Sequence, residues 1–110
     1  MNQESIFFEM QAQLCQVLGH TIRLRIVQEL KDGPKCVNGL VTALKTLPQA
    51  TVSRHLAVLR SAGVLTTHRK GIEIIYEIAN PKIVEVCAMM RSILVERESH
   101  QREILQLIQA

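Results

Sequence analysis

Apolar residues recur at helical spacing from the start of the chain. Ile6, Phe7, Met10, Leu14, Val17 and Leu18 fall on one stripe, which predicts a first helix that stops at Gly19. Ile22, Ile26, Val27 and Leu30 repeat the pattern up to Asp32-Gly33-Pro34, where glycine permits a left-handed cap and proline blocks continuation. A second helix therefore ends there. Val37, Leu40, Val41 and Leu44 predict a short third helix, broken at Leu47-Pro48. A fourth starts between Gln49 and Thr51, buries Val52, Leu56 and Leu59, and stops at Gly63. Its first turns then carry Gln49, Thr51, Ser53, Arg54 and His55.

Beyond Gly63 the period shortens to two. Val64–His68 and Ile72–Ile78 are rich in β-formers, and the second segment alternates Ile72, Ile74, Tyr76 and Ile78 on one face. Arg69-Lys70-Gly71 between them predicts a hairpin with a basic tip. Asn80-Pro81 then signals a helix start, with asparagine as cap and proline in the first turn. Ile83, Cys87, Met90 and Leu94 mark the apolar stripe of a long last helix. Residues 96–103 are wholly polar before Ile104, Leu105, Leu107 and Ile108, so that helix either crosses solvent or breaks there. The fold class is mainly α with a β-hairpin wing: four helices, a hairpin and a fifth helix, in one domain over residues 1–110.

Composition sharpens this picture in three ways. With 47% apolar but only 3% aromatic residues, the interior must be packed with aliphatic side chains. The net charge of +3 is unevenly spread: no Asp or Glu occurs between Asp32 and Glu73, a stretch holding Lys35, Lys45, Arg54, Arg60, Arg69 and Lys70. That asymmetry points to a polyanionic partner for the middle of the chain, nucleic acid before membrane. The three cysteines, Cys15, Cys36 and Cys87, are odd in number and widely spaced, as expected of free thiols in a reducing compartment. No apolar run approaches the ~18 residues of a membrane span, and the first residues lack the basic start of a signal peptide. A cytoplasmic protein without membrane contact is expected.

Two short helices joined by a proline-containing turn, the second polar and basic at its start, are the parts of a helix-turn-helix. A helix entering the major groove by its first turns offers side chains to base edges and free N–H groups to phosphates. Gln49, Thr51, Ser53, Arg54 and His55 are the candidate DNA contacts: arginine and glutamine suit guanine and adenine, whereas hydroxyls and His55 suit phosphate. Arg69 and Lys70 on the hairpin would reach the flanking backbone or minor groove, as in a winged helix-turn-helix.

The run from Leu47 to Leu65, with its Ser53-Arg54-His55-Leu56 and Leu59 core, followed by Arg69-Lys70-Gly71 and Tyr76, resembles the recognition helix and wing of the ArsR/SmtB family of bacterial repressors. Leu18–Ile26 is similar to that family's second-helix signature, and Asn80–Val84 to its last-helix start; the likeness covers about residues 14–94. It implies a homodimer formed by the first and last helices and bound to double-stranded operator DNA with an inverted repeat. It also implies repression relieved by a metal, metalloid or thiol-reactive signal.

The resemblance bears unevenly on the sensor. Metal-sensing members often carry Cys-Val-Cys near the third-helix start; here Lys35-Cys36-Val37-Asn38 keeps one thiol. Arsenite favours several thiolates, so Cys36 would need Cys15 or Cys87, within the chain or across a dimer. At the positions of the family's zinc site on the last helix this chain has Asn80, Lys82, Ile93 and Glu96, so that site is lost. Glu96, His100 and Glu103 share a helical face and read as a solvated surface; His20 and His68 read as capping or surface residues. Cys15 and Cys87 lie in or beside apolar stripes and suit small packing roles. Cys36, at a predicted helix start beside Lys35, is the candidate reactive thiol.

DNA binding itself needs no cofactor. Arsenite or another thiophilic metal is the expected inducer, with a redox or persulfide signal on the same thiols as the alternative. The chain has no phosphate loop, nucleophile elbow or paired ligand motif, which excludes an enzyme reading. A winged helix serving only protein contacts would not require an acid-free middle.

Overall fold

A computed structural model describes residues 2–109. The elements follow the order α1 (Gln3–Leu18), α2 (Thr21–Leu30), β1 (Lys35–Cys36), α3 (Val37–Ala43), α4 (Gln49–Ser61), β2 (Leu65–Lys70), β3 (Glu73–Ile78) and α5 (Lys82–Gln109). This is the expected winged helix-turn-helix, with one strand added.

Local chemistry sets most boundaries. Asn2 Oδ1 accepts from the Ser5 N–H at 2.8 Å, His20 Nδ1 from Ile22 N–H at 3.2 Å, and Asn80 Oδ1 from Lys82 N–H at 3.0 Å, each satisfying an orphan donor of a helix start. α4 ends in a Schellman motif: Gly63 N–H donates to the Arg60 carbonyl at 3.0 Å and Val64 N–H to that of Leu59 at 2.9 Å. Gly63 has φ +80, a left-handed conformation that glycine adopts without Cβ strain. Val64 and Leu59 are both fully buried, completing the motif's apolar contact.

The core gathers Ile26, Val27 and Leu30 of α2, Leu40 and Leu44 of α3, Val52, Leu56 and Leu59 of α4, and Val64 and Leu65 leading into the wing. Among the described residues no polar side chain is buried with them.

The hairpin differs from expectation in its turn. β2 runs on through Arg69 and Lys70, which stand opposite Ile74 and Glu73, so the basic pair belongs to the strand. The turn is Gly71-Ile72. With Gly71 at φ +65 and, among the described residues, no positive φ at any non-glycine residue, it has the form of a II′ turn, which matches strand twist. Ile72 therefore lies outside the strand at 100% exposure, while Tyr76 and Ile78 pack on the core. Lys35 and Cys36 pair with Tyr76 and Ile75, making a three-stranded antiparallel sheet of order β1-β3-β2.

α5 crosses its polar stretch without a break and spans 28 residues, about 42 Å at 1.5 Å per residue. From Met89 onward every described residue is exposed. Val86, Met89, Ile93 and Val95 are each more than half exposed, as are Phe7 and Phe8 of α1 at 63%.

Candidate nucleic-acid interface

α4 begins directly after Pro48, whose side chain can offer no capping oxygen. Thr51 and Val52 donate their N–H groups to the Pro48 carbonyl at 3.1 and 3.2 Å, which leaves those of Gln49 and Ala50 as the orphan donors of this helix. Uncapped N–H groups at the positive end of a helix dipole form an anion-binding arrangement. Around them Gln49, Ser53 and Arg54 are exposed and Thr51 is half-buried. Arg69 and Lys70 on β2 are exposed as well.

His55 is placed differently from the other candidate contacts. It is half-buried and turned to α2, where its Nδ1 accepts from Arg23 Nε at 3.1 Å. Its ring lies 4.4 Å from that of His20, centroid to centroid, tilted by 54°. Burial, then the nearby His20, Arg23 and Arg54, hold its pKa below the ordinary histidine value. Arg23 carried no signal in the sequence, because its partner lies 32 residues away and only the packing of α2 against α4 joins them.

The three cysteines lie on different elements and form no disulfide. Cys15 is exposed on α1, and Cys87 is half-buried against the core, where burial pushes its thiol pKa up against the opposing effect of Arg91. Cys36 is the N-cap of α3: its Sγ accepts from Gly39 N–H at 3.4 Å. The Lys35 ammonium expected to support it instead pairs with Glu29 at 3.3 Å. Among the described residues no three His, Cys, Asp or Glu side chains converge to hold a metal ion. The donors of one chain therefore do not fit a three-thiolate metalloid site, and Glu96, His100 and Glu103 do not fit a metal site either. Cys36 does border a cleft of about 340 Å³ shared with Gln49 of α4 and Ile72, Glu73 and Ile74 of the wing.

Comparison with known proteins agrees with this architecture. Residues 20–67 match the sequence profile described as bacterial regulatory protein, arsR family. The uncharacterized HTH-type transcriptional regulator Rv0081 of Mycobacterium tuberculosis is 32% identical over 94% of this chain and 90% of its own. Its crystal structure superposes with a TM-score of 0.78 over 86% of this chain and 95% of that one, at 33% identity. The transcriptional repressor PagR of Bacillus anthracis is 40% identical over 82% of this chain and 90% of its own, and its crystal structure gives a TM-score of 0.70 over 78% and 98%. The HTH-type transcriptional repressor SmtB of M. tuberculosis is 38% identical over 67% of this chain, which spans only about half (54%) of that relative's length. With a winged helix-turn-helix fold and relatives at least 32% identical over 67–94% of its length, the chain belongs to the arsR family of bacterial regulatory proteins.

Proposed function

We propose that residues 1–110 act as a single homodimeric winged helix-turn-helix repressor that binds double-stranded operator DNA. The observation that carries this reading is the start of α4: two uncapped backbone N–H groups flanked by exposed Gln49, Ser53 and Arg54, in a segment free of carboxylates from residue 33 to residue 72. Gln49 and Arg54 read base edges, Ser53, Thr51 and the N–H groups fix register on phosphates, and Arg69 and Lys70 hold the flanking backbone. His55 supports α4 from behind. The exposed apolar faces of α1 and α5 favour a dimer through these two helices, since contiguous apolar surface of this kind is costly in water. Two-fold symmetry then calls for an inverted repeat with half-sites roughly one helical turn apart.

The releasing signal acts on Cys36. This side chain caps α3, pairs through its backbone with Ile75 of β3, and borders the cleft containing Gln49. A modified or ligated Sγ ceases to accept from Gly39 N–H and occupies the cleft between recognition helix and wing. Because no three ligands converge in one chain among the described residues, one-cysteine chemistry by an oxidant or persulfide is favoured over a three-thiolate arsenite site, which would have to recruit a cysteine of a second protomer.

The test is fluorescence anisotropy of reduced protein on promoter DNA, titrated with arsenite and separately with a persulfide donor, beside Cys36→Ser. Release by the persulfide donor that Cys36→Ser abolishes is expected. Release by arsenite instead, lost on replacing Cys15 or Cys87, would assign a metalloid site that includes that thiol. Release by neither would remove Cys36 from the mechanism.

A further inference from the structure

We propose that Arg23, acting through the unprotonated ring of His55, holds α4 in the seat from which it distinguishes its operator from other DNA. The inference rests on the DNA-binding reading above. Arg23 Nε donates to His55 Nδ1 at 3.1 Å, and Nη1 donates to the Val17 carbonyl at 3.2 Å. Val17 lies in the last turn of α1, where carbonyls lack intrahelical partners and a cation complements the helix dipole. One planar guanidinium thus starts from α2, satisfies the end of α1 and grips α4. His20 closes the other side of the His55 ring and is itself fixed by the Ile22 N–H that it caps. His55 directly follows Arg54, so any rotation of α4 that breaks the Arg23 bond also displaces the side chain placed to read a base.

This arrangement makes operator preference sensitive to a proton. As an acceptor, Nδ1 of His55 carries no hydrogen, and the neutral ring holds its proton on Nε2. A second proton on Nδ1 would set N–H against N–H and add a cation to a group already holding Arg23 from α2 and Arg54 from α4, with His20 at the start of α2. Burial and these neighbours lower the His55 pKa, so the bond is intact at neutral pH and is lost as pH falls through that lowered value. Random-sequence DNA responds with the opposite sign, since an extra positive charge on α4 strengthens phosphate attraction. Acidification therefore lowers operator preference while raising non-specific affinity, a combination that unfolding does not produce.

Two measurements test this. Long-range ¹H–¹⁵N correlation spectra of the wild-type protein read the His55 tautomer, and anisotropy on a promoter duplex and a scrambled duplex of equal composition reads preference, both from about pH 8 to about pH 5. Expected are an Nε2-protonated His55 at the alkaline end and a roughly tenfold fall in operator preference that follows its titration, the size of one hydrogen bond to a charged group. Arg23→Lys, which keeps the charge but cannot make both bonds, should show the reduced preference at every pH. His55→Gln, which supplies a carbonyl acceptor, should recover preference without the pH dependence. An Nδ1-protonated neutral His55, or preference that Arg23→Lys retains, would overturn the inference alone. Absence of any preference in wild type at the alkaline end would overturn the DNA-binding reading and the inference with it.

Discussion

Arg54 and Lys70 carry the same charge, but the proposed function gives them different tasks. Arg54 stands in the second turn of the recognition helix, whereas Lys70 closes a wing strand beside the II′ turn and opposite Glu73. Arg54→Ala should therefore cost about 1–3 kcal/mol on the operator and relax the preference at one base position, while Lys70→Ala should weaken all duplexes about equally. Binding to a panel of single-base operator variants checks this, and equal losses for Arg54→Ala on operator and scrambled DNA would contradict a base-reading role. Cys87 illustrates burial acting on a thiol. With its pKa raised in the folded chain, its contribution to stability is fully present below the ordinary thiol range and is lost as pH rises through the raised value. Iodoacetamide should accordingly modify Cys87 more slowly in the folded protein than in urea, as followed by mass spectrometry; equal rates would contradict its packing against the core. At this scale the sequence is least legible. The polar residues of the recognition helix can be named from the order of residues, but whether His55 faces DNA or Arg23 depends on how α2 packs against α4.

The elements rest on signals that are mostly local, and these can be tested singly. Gly63→Ala places a Cβ at φ +80 in the Schellman motif and should destabilise the fold by about 1 kcal/mol or more in urea unfolding. Leu56→Ala, in the middle of the α4 face that is buried on α2, α3 and β2, should cost about 2–5 kcal/mol. Both effects follow from patterns visible in the chain: apolar residues at helical spacing, with glycine or proline where the helices stop. β1 escaped because a two-residue strand has no period; Lys35 and Cys36 become a strand only by pairing with Tyr76 and Ile75 about 40 residues away. The turn was displaced by two residues because Arg69 and Lys70 suit a strand end as well as a loop, and the φ of Gly71 fixes the turn after them. The continuity of α5 was illegible because a polar stretch has no amphipathic period, though nothing in residues 96–103 breaks a helix.

For the molecule as a whole, one chain leaves two helices half-covered. Its radius of gyration, 17.6 Å, exceeds the roughly 13 Å of a compact domain of this length, because α1 and α5 extend from the core with Phe7, Phe8, Met89 and Ile93 exposed. A dimer through these faces would complete the structure and set two copies of α4 about a two-fold axis. Ile93→Glu should then shift the protein to monomer in analytical ultracentrifugation and weaken operator binding, whereas persistence of the wild-type mass would place any dimer interface elsewhere. The charge pattern belongs to this scale too. Six basic residues and no acid between Asp32 and Glu73, against an acidic remainder, would, on the proposed function, orient the molecule towards DNA before any contact forms.

The central claim, that the start of α4 and the wing bind operator DNA, is tested most directly by anisotropy on promoter and scrambled duplexes across a range of salt concentrations. The account predicts preference for promoter DNA, with affinity falling by about 0.9 log units per phosphate contact for each decade of salt. Equal binding to both duplexes, or affinity that does not change with salt, would contradict it.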